Sequence, residues 1–150
     1  MTDLLNPDFH EMLSLFNDEQ VEYMIVGAYA LAYHGLPRAT GDIDLWVRRS
    51  DENASRIWRA LSRFGVPLSD LTKDDLKNPE TVFQIGIAPR RIDILTSIDD
   101  VEFDEAMQEM KRVKIENIEI PIIGRRHLIQ NKKAAGRPQD EADVIRLEQE

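Results

Sequence analysis

The chain has no cysteine. Disulfides and thiolate metal sites are therefore excluded, and stability rests on a packed core. It also has no apolar run approaching the ~18 residues of a membrane-spanning helix. Its opening, Met1-Thr2-Asp3-Leu4-Leu5-Asn6, has no basic segment leading into a long apolar one, so no secretory signal is expected. These absences predict a soluble, cytoplasmic protein with no membrane partner. Positive charge is in deficit as well, with 19 Lys and Arg against 28 Asp and Glu and a net charge of −9. A protein that mainly grips nucleic acid through its phosphates needs the opposite balance. Acid in turn is missing between Glu119 and Asp140, where Arg125, Arg126, Lys132, Lys133 and Arg137 fall. That basic stretch is either a solvated helix face or a partner for a polyphosphate.

The 150 residues fit one domain, 1–150, and a chain of this length buries roughly 68–70% of its unfolded surface. Asn6-Pro7 predicts a helix start, with Phe9, Met12, Leu13 and Phe16 at helical spacing. A strand is expected from Val21 to Val26, stopping at Gly27. A small, apolar helix then runs from Ala28 to His34 and closes at Gly35. Pro37 begins a loop, and a strand spans Asp42 to Val47. Ser50-Asp51 starts a second surface helix whose inner side carries Ala54, Ile57, Trp58, Leu61 and Phe64, with Gly65 as terminator. Residues 66 to 80 are polar and loop-rich, with a short helix at Lys73 to Lys77.

Thr81 to Ile87 and Arg91 to Leu95 read as strands joined at Ala88-Pro89-Arg90. A short helix is expected around Glu102 to Met110. Val113 and Ile115, then Ile118, Ile120 and Ile122, alternate about Glu116-Asn117 as in a hairpin. Two helices close the chain, Arg125 to Ala135 ending at Gly136, and another from Pro138 with Asp140 and Glu141 in its first turn. Strands mixed with helices predict an α/β or α+β fold, one mixed sheet flanked by helices with two more at the C-terminus.

The chemistry is concentrated in three aspartates. Asp42 and Asp44 alternate with Ile43, Leu45 and Val47, so both carboxylates project from one face of a strand while the aliphatic residues enter the core. Two like charges side by side repel. They belong either to a solvated sheet face or to a site holding a hard divalent cation such as Mg²⁺, which one or two carboxylates plus substrate phosphates usually bind. Asp93, inside Arg91-Ile92-Asp93-Ile94-Leu95, faces the same side if the two strands are neighbours.

Val26-Gly27-Ala28 is a strand-to-helix turn with exposed backbone N–H groups. It is either packed by small residues or open to a phosphate. Arg38 and Thr40, just before the aspartates, are loop residues or phosphate contacts. Lys132 lies four residues after Leu128 and three after Ile129, on the core side of its helix, and either snorkels to solvent or meets a ligand.

Together these residues resemble a minimal nucleotidyltransferase of the DNA polymerase beta-like superfamily. Tyr23-Met24-Ile25-Val26-Gly27-Ala28-Tyr29 through Arg38-Ala39-Thr40-Gly41-Asp42-Ile43-Asp44-Leu45 is similar to small bacterial nucleotidyltransferases related to toxin–antitoxin systems. Their pattern is an apolar strand, a Gly-Gly or Gly-Ser turn, a helix, then Arg-x-Thr-x-Asp-x-Asp. The segment Leu128 to Asp143, with Lys132, Arg137, Asp140 and Asp143, resembles the closing helices of the same proteins.

The resemblance implies that Asp42, Asp44 and Asp93 are catalytic and hold two Mg²⁺ ions, with Asp93 also the general base. It implies that Gly27, Ala28, Arg38, Thr40, Lys132 and Arg137 bind a nucleoside triphosphate. The expected reaction moves a nucleoside monophosphate to an acceptor hydroxyl, which belongs to a protein, an RNA end or a small molecule. A protein partner or a second copy of the chain would complete so small a pocket. Ala28 departs from the family's Gly or Ser. The alternative is a binding module that holds nucleotide or a partner without turnover, such as an antitoxin component.

Overall fold

The computed structural model describes residues 6–36, 41–87 and 90–149. The loop residues Pro37, Arg38 and Thr40 and the joint at Ala88-Pro89 lie outside them. The elements follow in the order α1 (Pro7–Asp18), β1 (Tyr23–Val26), α2 (Gly27–Tyr33), β2 (Ile43–Val47), α3 (Asp51–Phe64), a 3-10 turn (Asp75–Lys77), β3 (Val82–Ile85), β4 (Ile92–Leu95), α4 (Phe103–Met107), β5 (Lys111–Ile115), β6 (Ile118–Ile122), α5 (Arg125–Ala135) and α6 (Pro138–Glu148). Among the described residues no helix is long and apolar enough to cross a membrane.

The helix ends form where their side chains dictate. Asn6 Oδ1 accepts from the Phe9 backbone N–H, and Ser50 caps α3 by accepting from that of Asn53. Gly65 and Gly136 end α3 and α5 in the left-handed conformation. Glu116 and Asn117 both take positive φ between β5 and β6, as a tight hairpin turn requires. The expected helix at Lys73 to Lys77 is only a 3-10 turn, and the one expected over Glu102 to Met110 is shorter, because the chain is drawn into β5 from Lys111.

The six strands form one mixed sheet in the order β3-β4-β2-β1-β6-β5. β1 runs antiparallel to β2, while β2 is parallel to β4 and β1 to β6. Tyr23, Ile25, Leu45 and Val47 share the face on which Phe16 of α1 meets Tyr23 edge-on, with ring centroids 5.2 Å apart. Trp46 lies on the other face, where Phe103 of α4 covers it with a centroid distance of 5.0 Å.

A fully buried asparagine ties α3 to the sheet. Asn53 accepts from the Glu22 backbone N–H and donates to the carbonyls of Glu22 and Arg48, at 2.7, 3.0 and 2.8 Å. Two chain segments that leave the ladder are thereby satisfied by one amide. At the other end of β1, His34 Nε2 pairs with the Ile123 carbonyl at 2.8 Å, which fixes the end of α2 against the exit of β6.

Candidate active site

Strand register assembles the site. Antiparallel pairing sets Asp44 opposite Val26, the last residue before the Gly27 turn. Parallel pairing sets Asp93 directly opposite Asp44. Asp42 stands two residues before Asp44 and so shares its face. Three carboxyl groups from the N-terminal ends of two neighbouring strands thus gather beside the C-terminal end of a third. The Asp93 carboxylate is close enough to Asp44 to disfavour its charge. Burial first, then the carboxylates of Asp93 and Asp42, push the Asp44 carboxyl up to about 6.

Gly27 is the residue this arrangement cannot change. Its φ is +73°, and a Cβ there would land on Asp44 Oδ2, with Asp44 Cγ only 3.1 Å away. Gly27→Ala is expected to destabilise the protein by roughly 1–3 kcal/mol, through the strained φ and the displaced carboxylate. A urea midpoint equal to that of the parent would show that the turn relaxes freely.

Arg91 is a site residue that the sequence reading passed over. Its Nε and Nη2 donate to Asp93 Oδ1 and Oδ2 at 2.7 and 3.0 Å, a two-pronged grip. Nη2 also lies 3.1 Å from Asp42 Oδ2, and the Arg91 backbone N–H donates to Asp42 Oδ1 at 3.1 Å. The hydrogen bonds that it donates to the Asp93 carboxylate hold the guanidinium firmly charged. The signal was present in Arg91-Ile92-Asp93, since residues two apart on a strand share a face. Tyr29 of α2, half-buried and edge-on to Phe9, lies within electrostatic reach of Arg90 and Asp42.

Lys132 and Arg137, for which triphosphate contact is the expectation, are ion-paired with acids of the C-terminal helix pair. Lys132 is buried between α5 and α6, with Nζ 3.1 Å from Asp140 Oδ1 and 3.4 Å from Asp143 Oδ2. Arg137 Nε donates to Asp140 Oδ2 at 2.7 Å within a capping box at the start of α6. The neighbouring Gln130 and Asn131 donate to the carbonyls of Asp100 and Asp99. Those carbonyls follow the C-terminal end of β4, whereas Asp93 stands near its N-terminal end. A lysine held by two buried carboxylates cannot turn to a phosphate without leaving them uncompensated. The sequence showed a lysine facing inward; it did not show that two acids awaited it there. Arg38 and Thr40 lie outside the described residues, and Ala28 is half-buried at the start of α2.

Among the described residues no group of three His, Asp or Glu side chains stands ready-made as a metal-ligating cluster. The guanidinium of Arg91 lies between two of the three aspartates instead. The donor set nevertheless suits a hard cation. It offers three carboxylates, one of them raised by burial and by its neighbours, with the Asp44 carboxylate seated in the space that the Gly27 turn leaves.

No protein-family model matches the sequence, and no curated protein matches it either. Solved structures do. A protein of Thermotoga maritima assigned as a nucleotidyltransferase, TM1012, superposes with a TM-score of 0.62 at 18% identity, over 91% of this chain and 87% of that one. The lincosamide antibiotic adenylyltransferase LnuA, solved with lincomycin bound, gives 0.58 at 13% identity over 96% of each chain. ANT(2")-Ia, solved with adenylyl-2"-tobramycin, gives 0.55 at 17% identity, over 92% of this chain and 83% of its own. At these identities the likeness speaks to the backbone: this chain has a nucleotidyltransferase-like fold, a six-stranded mixed sheet flanked by helices.

Proposed function

We propose that the protein is a Mg²⁺-dependent nucleotidyltransferase that moves a nucleoside monophosphate from a nucleoside triphosphate to an acceptor hydroxyl. One observation carries the reading: Asp42, Asp44 and Asp93 converge on one sheet face beside Gly27. The fold shared with two adenylyltransferases supports it.

In this reading the three aspartates hold the cation, which when bound neutralises charge on the transferring phosphate and the departing pyrophosphate. Gly27 leaves room for the Asp44 carboxylate against the turn, and in this reading the triphosphate lies beside them. Asp93 takes the proton of the acceptor hydroxyl as its oxygen bonds to the α-phosphorus. The bond from that phosphorus to the bridging oxygen breaks, and pyrophosphate leaves with the electron pair. The chain contributes positioning and fixed charge rather than covalent chemistry.

Calorimetric titration with ATP and GTP, with and without Mg²⁺, tests the binding half of the proposal. Binding that requires Mg²⁺ and disappears in Asp42→Ala supports a live site. Incubation with α-labelled triphosphates and cell lysate tests transfer and identifies the acceptor as protein, RNA or small molecule. Nucleotide bound without any label moving would favour a binding module of the antitoxin kind. No binding under any condition would defeat both.

A further inference from the structure

We propose, resting on the nucleotidyltransferase reading, that Arg91 works in two positions: it neutralises the aspartates before the cation and nucleotide arrive, then turns to grip the triphosphate. Its side chain spans Asp93 and Asp42 from one root. The lone pairs of those carboxylates accept either guanidinium N–H groups or a cation, not both at full strength. A compact doubly charged ion beats a delocalised single charge for the same oxygens.

Displacement need not disturb the sheet, because Asp42 Oδ1 is held by the Arg91 backbone N–H, not by its side chain. The side chain is 28% exposed while Asp93 is 10% exposed, so the guanidinium lies on the solvent side of the carboxylate it grips. A triphosphate reaching the aspartates enters from that side. A planar guanidinium suits a phosphate as well as it suits a carboxylate. Arg91 would therefore exchange one bidentate anion for another.

The test uses Mn²⁺ as the probe cation, followed by its electron paramagnetic resonance signal without nucleotide, on the full chain. Arg91→Gln is expected to bind Mn²⁺ about tenfold more tightly than the parent, because the competing cation is gone. With Mn²⁺ saturating, its affinity for an α,β-methylene nucleoside triphosphate is expected to fall about tenfold. Arg91→Lys keeps the charge and loses the fork. Its ammonium still competes, but without the two-pronged grip, so its gain in Mn²⁺ affinity is expected to be smaller though still measurable should the glutamine variant fail to fold, and it is expected to retain more of the triphosphate affinity.

A merely structural arginine would weaken both affinities together or change neither. Mn²⁺ binding that depends on Asp44 but is equal or weaker in both Arg91 variants overturns the inference and leaves the proposed function standing. Triphosphate affinity unchanged in both variants overturns it too. Mn²⁺ binding that no Asp44→Asn substitution affects removes the nucleotidyltransferase reading itself.

Discussion

Asp44→Asn abolishes nucleotidyl transfer and makes the cation-free protein more stable at pH 7. Both effects come from one carboxylate. Transfer falls by at least about 10²–10³-fold, the scale on which loss of a single placed electrostatic group slows an enzyme. Stability rises because the ionised group is held where it is disfavoured, by burial first and then by Asp93 and Asp42, with its carboxyl pushed up to about 6 from 3.8.

The sign follows from linkage. A group whose folded pKa lies above its unfolded value adds stability that is complete below about 3.8 and is lost as pH rises through about 6. Two pH units correspond to about 3 kcal/mol. Without divalent cation, the parent protein's melting temperature should therefore fall between pH 4 and pH 6 by more than that of Asp44→Asn. At pH 7, Mg²⁺ should raise the melting temperature of the parent and not of the variant. Radiolabel from α-labelled ATP still reaching an acceptor in Asp44→Asn would remove this aspartate from the mechanism. Identical melting profiles for the two proteins would show that the carboxyl is not strained.

Lys132→Met is expected to unfold or loosen the C-terminal helix pair, at a cost of about 3–5 kcal/mol. That is the scale for removing one partner of a buried ion pair. Asp140 and Asp143, each 2% exposed, share this ammonium. Burial alone would raise the Asp140 carboxyl, yet Arg137 and Lys132 overcome that and hold it down at about 2. Its stabilising contribution is therefore present above about 3.8 and lost as pH falls through about 2. In Lys132→Met the acid transition should move to higher pH. Urea titration measures the loss directly, and restoring the charge balance with Asp140→Asn and Asp143→Asn should recover part of it. The fraction that stays folded should bind triphosphate with the parent's affinity. A weakened triphosphate and an unmoved urea midpoint would return Lys132 to the nucleotide site.

How much of this was legible in advance differs from element to element. Caps and terminators act over three or four residues, so Asn6, Ser50, Gly65 and Gly136 mark their helix ends without help from the rest of the chain. The alternation Asp42-Ile43-Asp44-Leu45 likewise fixes which side chains share a face. The helix expected over Glu102 to Met110 came out shorter because Met110 is drawn toward β5, a demand from a neighbouring strand rather than from its own propensity. Arg91 was legible by the same period of two that found Asp93, but its pairing with Asp42 was not, since that depends on β2 and β4 lying side by side.

The division has a physical cause. Hydrophobic period, capping chemistry and the positive-φ preference of glycine are local, and from them the sequence alone determined the strands, the helices, the Gly27 turn and the shared face of Asp42 and Asp44. Distance between residues far apart in the chain is set by register and crossover, which no local rule contains. Only the tertiary structure decided that Asp93 stands opposite Asp44, that Arg91 bridges Asp93 to Asp42, and that Lys132 is spent on Asp140 and Asp143. Charge alone marks a residue as able to bind an anion. Which anion it meets is settled by the strand or helix that packing sets beside it.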